Sequence, residues 1–186
     1  QNSLHVGVLN TSTGNLVVQG GGRIETRWVN IGTYAGSTGN LTLTGAGSTW
    51  DGAQSIGIAW CSGRGSAAME NAGASPATAN SQVFALGYQS GCTGSLTVST
   101  GTDAAPAFSV GQIHVGRGGT GTLTVNNNGV IKPSTLRLGQ LAGSQGTMLI
   151  TDGGDVVTGL VSLGGDSSNA GGTGTVTISN GGTLYG

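Results

Sequence analysis

The chain has 186 residues, 39 of them glycine, and only 7% are charged, with six Lys and Arg against seven Asp and Glu. Glycine is a poor helix former, so the composition excludes a helical bundle, and the balance of charges excludes a nucleic-acid-binding protein. Apolar residues make up 35% of the chain and its net charge is −1, which argues against charge-driven disorder.

A motif of the form apolar–polar–apolar–glycine recurs along the chain and sets its period. The first copy is Leu4-His5-Val6-Gly7, and successive motif glycines lie 23 to 30 residues apart. The third copy is assigned to Gln54-Ser55-Ile56-Gly57, although its first residue is polar. The seven copies begin near Leu4, Val29, Gln54, Phe84, Ile113, Leu136 and Val161.

Two further strand patterns follow most copies of the motif. One is a glycine with an alternating segment, as in Gly121-Thr122-Leu123-Thr124-Val125, and the other is a looser apolar segment such as Val130-Ile131-Lys132. Alternation predicts strands with one buried face, and stacked copies can bury that face where one copy cannot. We therefore expect an all-β parallel β-solenoid of about seven coils, with three short strands per coil, forming one domain over residues 1–186.

Stacking the copies predicts interior columns of apolar residues, with neighbours about 4.8 Å apart. The first column contains Val6, Ile31, Ile56, Leu86, Val115, Leu138 and Leu163. The second contains Val18, Leu43, Met69, Val98, Val125, Ile150 and Ile178.

The two cysteines fall in neighbouring coils. Cys61 lies four residues past Gly57 and Cys92 lies five past Gly87, so the solenoid puts both on the same edge, at a separation that suits a disulfide. We predict a Cys61–Cys92 bond, which implies an oxidising compartment outside the cytoplasm. Two free thiols in a surface turn are the alternative.

Candidate catalytic and metal-ligating residues are scattered. His5 and His114 occupy the same outward motif position four coils apart, about 19 Å at the strand spacing, so we expect two solvated histidines that share no metal. Asp152, Asp155 and Asp166 lie in glycine-rich turns without the repeat of calcium-binding β-rolls. We expect no enzyme activity, no catalytic residue, no metal and no cofactor.

Aromatic residues suggest one candidate ligand site. Tyr34, Trp60 and Tyr88 each follow a motif glycine by one to three residues in three successive coils, with Arg64 nearby. Exposed aromatic rings suit a sugar ring or a protein partner, so these four residues are a candidate patch for a glycan or a surface protein. The alternative is that the rings cap the ends of an interior column.

A second candidate surface is an outward ladder of threonines at Thr42, Thr97, Thr124 and Thr177, interrupted by Val17, Ala68 and Leu149. Such ladders favour lateral self-association, and terminal coils that lack a polar cap favour end-to-end stacking. Similar Thr-x-Thr ladders occur on ice-binding solenoids, but the interruptions disfavour a flat ice-matching face.

The repeat unit resembles a known family. Residues 119–129 read Gly-Thr-Gly-Thr-Leu-Thr-Val-Asn-Asn-Asn-Gly, with related wording at 36–50 and 172–184, and this is similar to the passenger repeats of bacterial autotransporters. The resemblance implies a right-handed, single-stranded parallel β-helix on the bacterial cell surface, where many members are adhesins or form fibres or biofilms.

The function that follows is an extracellular structural or interaction protein: a surface adhesin, or a self-associating, fibre- or biofilm-forming solenoid. The alternative is a glycan-binding module, with host or biofilm glycans or surface proteins as partners. The pattern runs to both termini, so we expect the chain to be part of a longer or polymerising protein. No apolar run is long enough to span a membrane, so we expect no membrane insertion.

Overall fold

A computed structural model describes residues 2–45, 47–70, 78–100, 107–166 and 168–186. All of its regular structure is β, in nineteen strands. The first ten are β1 (Ser3–Val6), β2 (Thr13–Val18), β3 (Arg23–Glu25), β4 (Trp28–Ile31), β5 (Thr38–Thr44), β6 (Thr49–Ile58), β7 (Arg64–Glu70), β8 (Thr78–Leu86), β9 (Thr93–Ser99) and β10 (Ala107–Val115). The others are β11 (Thr120–Asn126), β12 (Val130–Leu138), β13 (Gln145–Ile150), β14 (Asp155–Val157), β15 (Val161–Leu163), β16 (Gly165–Asp166), β17 (Asn169–Ala170), β18 (Thr173–Ile178) and β19 (Thr183–Tyr185).

The strands stack as a parallel β-solenoid, as the repeat predicts. One sheet has seven strands in the order β18-β13-β11-β9-β7-β5-β2, one strand at each level of the stack. The chain makes about six turns of the solenoid between the first and the last of these levels. The other sheet has ten strands, along the path β1-β4-β6-β8-β10-β12-β14-β19 with β15 and β3 attached. Its long members β6, β8, β10 and β12 each join the third strand of one coil to the first strand of the next, so the predicted short strands are fused at these places.

The core consists of columns of like apolar side chains between the two sheets. Residues such as Ile31, Leu86 and Leu138 are fully buried, and parallel pairing places each directly above its counterpart in the coil below. Burial of these columns is the main stabilising contribution, at about 25 cal/mol per Å² of apolar surface.

The pairing of the third coil differs from the prediction by two residues. Ile58, not Ile56, pairs with Ile31 and Leu86, while Ile56 joins the neighbouring column with Val29 and Phe84. The motif of this coil is therefore Ile56-Gly57-Ile58-Ala59. The second predicted column, from Val18 to Ile178, pairs as expected at every level.

A left-handed backbone corner ends each motif and turns the chain from the ten-stranded sheet towards the seven-stranded one. The corner residue has φ between 57° and 70° at all seven levels. Six of the seven are glycine, which adopts this conformation without steric cost, and Ala59 takes the seventh position. The corner residues are Gly7, Gly32, Ala59, Gly87, Gly116, Gly139 and Gly164.

Candidate functional sites

The outer face of the seven-stranded sheet is a regular array in which most side chains are neutral and polar. No pairing within this sheet contains a register shift, so outward residues form straight columns about 4.8 Å apart along the axis. Over the described strands β2, β5, β7, β9, β11, β13 and β18, twelve of the twenty-one positions in three such columns are threonine. We call this surface the threonine face.

The three columns of the threonine face are given by the strand pairing. One is Thr13, Thr38, Arg64, Thr93, Thr120, Gln145 and Thr173. The next is Asn15, Asn40, Ser66, Ser95, Thr122, Thr147 and Thr175. The third is Val17, Thr42, Ala68, Thr97, Thr124, Leu149 and Thr177. The third column holds the threonines singled out from the sequence, with the same interruptions.

Hydrogen bonds run along the threonine face at its first levels. The Asn40 side-chain amide donates to the Asn15 Oδ1 at 2.8 Å, and the Ser66 hydroxyl donates to the Asn40 Oδ1 at 2.6 Å. These bonds join three successive coils through side chains alone. Arg64 is the one charged residue of the three columns, and its neighbours in its own column are Thr38 and Thr93.

A second column of polar and aromatic residues follows the backbone corners. Thr33, Trp60, Tyr88, Arg117 and Gln140 each come directly after a corner residue, and we call them the corner column. The Trp60 and Tyr88 rings are stacked, with centroids 4.0 Å apart and planes 6° from parallel. The Arg117 Cζ lies 4.6 Å from the Tyr88 ring centre, on the side away from Trp60, so both faces of Tyr88 are covered.

The Trp60 indole also covers a glycine of the ten-stranded sheet, and the next residue in that column is small as well. A Cβ added to Gly57 would collide with Cε3 of Trp60, so the indole occupies the space that a larger side chain would need. Ala85, the next residue of that outward column, is fully buried. The large Trp60 on the corner column is thus paired with a glycine at the second motif position of its coil.

The structure divides the patch predicted from the sequence. Tyr34 is 49% exposed and lines a shallow depression with Leu9 and Asn10, in the column of Cys61 rather than that of Trp60 and Tyr88. Arg64 belongs to the threonine face. Arg117 stacks on Tyr88 in place of Tyr34 and Arg64. Sequence reasoning missed this residue, although it follows Gly116 just as Tyr88 follows Gly87.

The two cysteines are free thiols in the structure, and the predicted disulfide is not formed. Pairing of Arg64 with Thr93 places Cys92 beside Gly63, two residues beyond Cys61. The Sγ of Cys92 instead accepts a hydrogen bond from the Ser62 amide at 2.8 Å. Burial raises the pKa of Cys61, and the nearby Cys92 raises it further, which lowers the reactivity of the Cys61 thiol.

His114 is buried, with 8% of its surface exposed, so the prediction that both histidines are solvated is wrong for this one. Its Nδ1 lies 2.8 Å from the Oε1 of Gln140, and the Gln140 Nε2 donates to Asp166 Oδ2 at 2.8 Å. Because the amide nitrogen faces the carboxylate, the amide oxygen must accept from His114. The neutral imidazole therefore carries its proton on Nδ1 and an acceptor lone pair on Nε2.

Two arginines lie close to this imidazole. Strand pairing places Arg137 directly above His114, and its Nη1 donates to the Gln112 Oε1 at 3.1 Å. Burial lowers the pKa of His114; the Gln140 hydrogen bond and Asp166 oppose the shift, and Arg137 and Arg117 add to it. The imidazole is therefore uncharged at neutral pH, and two permanent positive charges act on it. We call His114, Arg117, Arg137 and Gln112 the guanidinium cluster.

Among the described residues, no group of three or more His, Cys, Asp or Glu side chains is placed to hold a metal ion. The part of the chain that the structure describes has no helix long and apolar enough to cross a bilayer.

The sequence matches no protein family model, no curated protein and no solved structure.

Proposed function

We propose that this protein is a non-enzymatic structural protein of the bacterial cell surface, a rigid β-solenoid that adheres to other copies of itself through the threonine face. The observation that carries the proposal is the straight, nearly uncharged array of hydroxyl groups on the seven-stranded sheet. The cell-surface location rests on the resemblance of the repeats to autotransporter passengers.

The chemistry of the threonine face suits pairing with an identical face. A hydroxyl group both donates and accepts hydrogen bonds, so two copies of the face are complementary in either orientation. Arg64 is the only charge within the three columns, so electrostatic repulsion between copies is small. A flat β face also keeps its side chains in place, which reduces the entropy lost on binding.

The size of the face determines how strong this association is. Seven levels at about 4.8 Å and six residues at about 3.3 Å give a face of about 29 by 20 Å. Two such faces bury a little over about 1,000 Å², near the lower limit for a specific interface. We therefore expect reversible association that depends on concentration and strengthens when many coils act together.

Sedimentation velocity from micromolar to millimolar concentration tests the proposal. The unaltered protein should form assemblies as its concentration rises, and Thr97→Lys with Thr124→Lys should abolish them by adding like charges to the middle two levels of the third column. The matched control is Gln112→Lys, on the exposed side of the ten-stranded sheet, which should assemble like the unaltered protein. A protein that stays monomeric throughout, or assembly that survives both lysines, contradicts the proposal.

A further inference from the structure

The guanidinium cluster concentrates positive charge in a chain that has few charges. Arg117 and Arg137 are two of only six Lys and Arg residues in the protein, yet both act on the same imidazole. Within the ranges that the structure describes, neither forms an ion pair with a carboxylate. Asp166, the acidic residue nearest to the cluster, is bound by Gln140 and by the Ser168 amide.

The two guanidinium groups are held in place by neutral partners. Arg117 lies with its Cζ over the Tyr88 ring, a contact that uses the face of the guanidinium and leaves its N–H edges free to donate. Arg137 gives one nitrogen to Gln112, and its Nη2 has no bond to any described residue. Two donor groups without an anionic partner are therefore fixed on one surface, and a carboxylate is the group they fit best.

His114 adds an acceptor of fixed direction to these donors. Gln140 holds the proton on Nδ1, and Nε2 makes no hydrogen bond to any described residue. Nε2 is not among the buried side-chain atoms that lack a partner, so this acceptor is open to solvent and to a ligand, in an orientation that the buried Nδ1 side fixes. A hydroxyl group on a ligand would supply the missing donor.

We propose that the guanidinium cluster binds a uronate unit of an acidic polysaccharide, with the carboxylate on Arg117 and Arg137 and a neighbouring sugar hydroxyl donating to the Nε2 of His114. A hydroxycarboxylate is the ligand chemistry that combines an anion with an adjacent hydroxyl donor. The site is an open surface rather than a pocket, so a single sugar buries little area there. A polysaccharide chain that extends over neighbouring coils buries more area than a single sugar does.

This role is independent of self-association and differs from recognition by ring stacking. Tyr88 has no free face for a sugar ring, because Trp60 and Arg117 cover both. The aromatic stack acts as a positioning element for the Arg117 guanidinium. The threonine face lies on the other sheet, so either property can fail without the other.

Binding is measured with oligogalacturonate by calorimetry and by the ¹⁵N signals of the two histidine rings, at protein concentrations below those that cause assembly. We expect oligogalacturonate to bind and to shift the Nε2 signal of His114 but not that of His5. The methyl-esterified oligomer, which lacks the charge, should bind at least about tenfold more weakly. Free galacturonic acid should also bind more weakly than the oligomer.

Three variants locate the site. Arg117→Gln and Arg137→Gln should each weaken binding of oligogalacturonate by about tenfold or more, whereas Arg64→Gln, on the threonine face, should not change it. Arg137→Lys keeps the charge without the planar fork and should retain part of the affinity, which separates loss of binding from loss of folding. Equal affinity for the acid and its methyl ester, or an unshifted His114 signal, overturns the proposal. Equal affinity for the free monosaccharide overturns its assignment to a polymer.

Discussion

The backbone corners provide the sharpest test of the stacked structure, because two glycines with similar backbone angles have different surroundings. Gly116 has φ 67° and Gly143 has φ 78°. A Cβ on Gly143 would have no atom within 4 Å, whereas a Cβ on Gly116 would lie 2.5 Å from the carbonyl carbon of Gln145 and nearer still to its oxygen. Gln145 belongs to the next coil, so this clash exists only when the coils are stacked.

The expected costs follow from these surroundings. Gly143→Ala places an L-residue in the left-handed region and should cost about 1–2 kcal/mol of unfolding free energy. Gly116→Ala incurs the same cost and must also part this coil from the next, which weakens the bonds from the Gln140 amide to the Gly116 carbonyl (3.3 Å) and from the Gln145 amide to the Gly119 carbonyl (2.9 Å). At about 1 kcal/mol for each bond, the total is about 3–4 kcal/mol.

Urea unfolding followed by circular dichroism measures both variants against the unaltered protein. The difference between them isolates the contact between coils, because the cost of the backbone angle is common to both. We expect Gly116→Ala to be less stable than Gly143→Ala by about 2 kcal/mol. Two equal losses would refute the reasoning, since they would mean that no neighbouring coil lies against Gly116.

Three further predictions concern single side chains. Trp50 is fully buried against Phe84, so Trp50→Ala should lower the free energy of unfolding by about 3–5 kcal/mol, measured in urea; a loss below about 1 kcal/mol would contradict the burial. With a thiol reagent, Cys61 should react slowly because burial and Cys92 raise its pKa, and Cys92 should react only on unfolding; rapid labelling of both would contradict this. Because the pKa of His114 is lowered in the fold, the unfolded chain takes up the proton first, so stability should fall as pH drops below about 6.5 and through the lower folded pKa. His114→Gln should reduce that fall between about pH 7.5 and about pH 5.5, and an equal slope in the variant and the unaltered protein would refute the assignment.

The repeat contains most of the information about the fold, and the misalignment of the third coil has a local cause. Gln54-Ser55-Ile56-Gly57 resembles the corner motif because it ends in glycine. The structure instead places Ala59 at the corner, with φ 57°, and Gly57 beneath the Trp60 indole. The pattern of apolar residues alone did not distinguish these alignments, because shifting a strand by two residues keeps the same face buried.

The candidate sites were less predictable because they depend on side chains from different coils. Burial of His114 requires Gln140, which is 26 residues away, and no local pattern signals that contact. Arg117 was accessible in principle, because it follows Gly116 as Tyr88 follows Gly87. The predicted patch was defined by aromatic residues and therefore did not include Arg117. The predicted Cys61–Cys92 pairing was wrong because the position of Cys61 was counted from Gly57 instead of from the corner residue Ala59.

The most direct test of the proposed function asks whether two copies meet at the threonine face. In a chain with Cys61→Ser and Cys92→Ala, a single cysteine is placed at the exposed Thr122 at the centre of the face, or at Gln112 on the other sheet as the control. Oxidation at concentrations that favour assembly should join the Thr122→Cys copies in pairs, because a disulfide needs Cα atoms within about 7 Å of each other. The Gln112→Cys protein should remain monomeric. Equal cross-linking at both positions, or none at Thr122→Cys while assemblies are present, would show that the copies meet elsewhere.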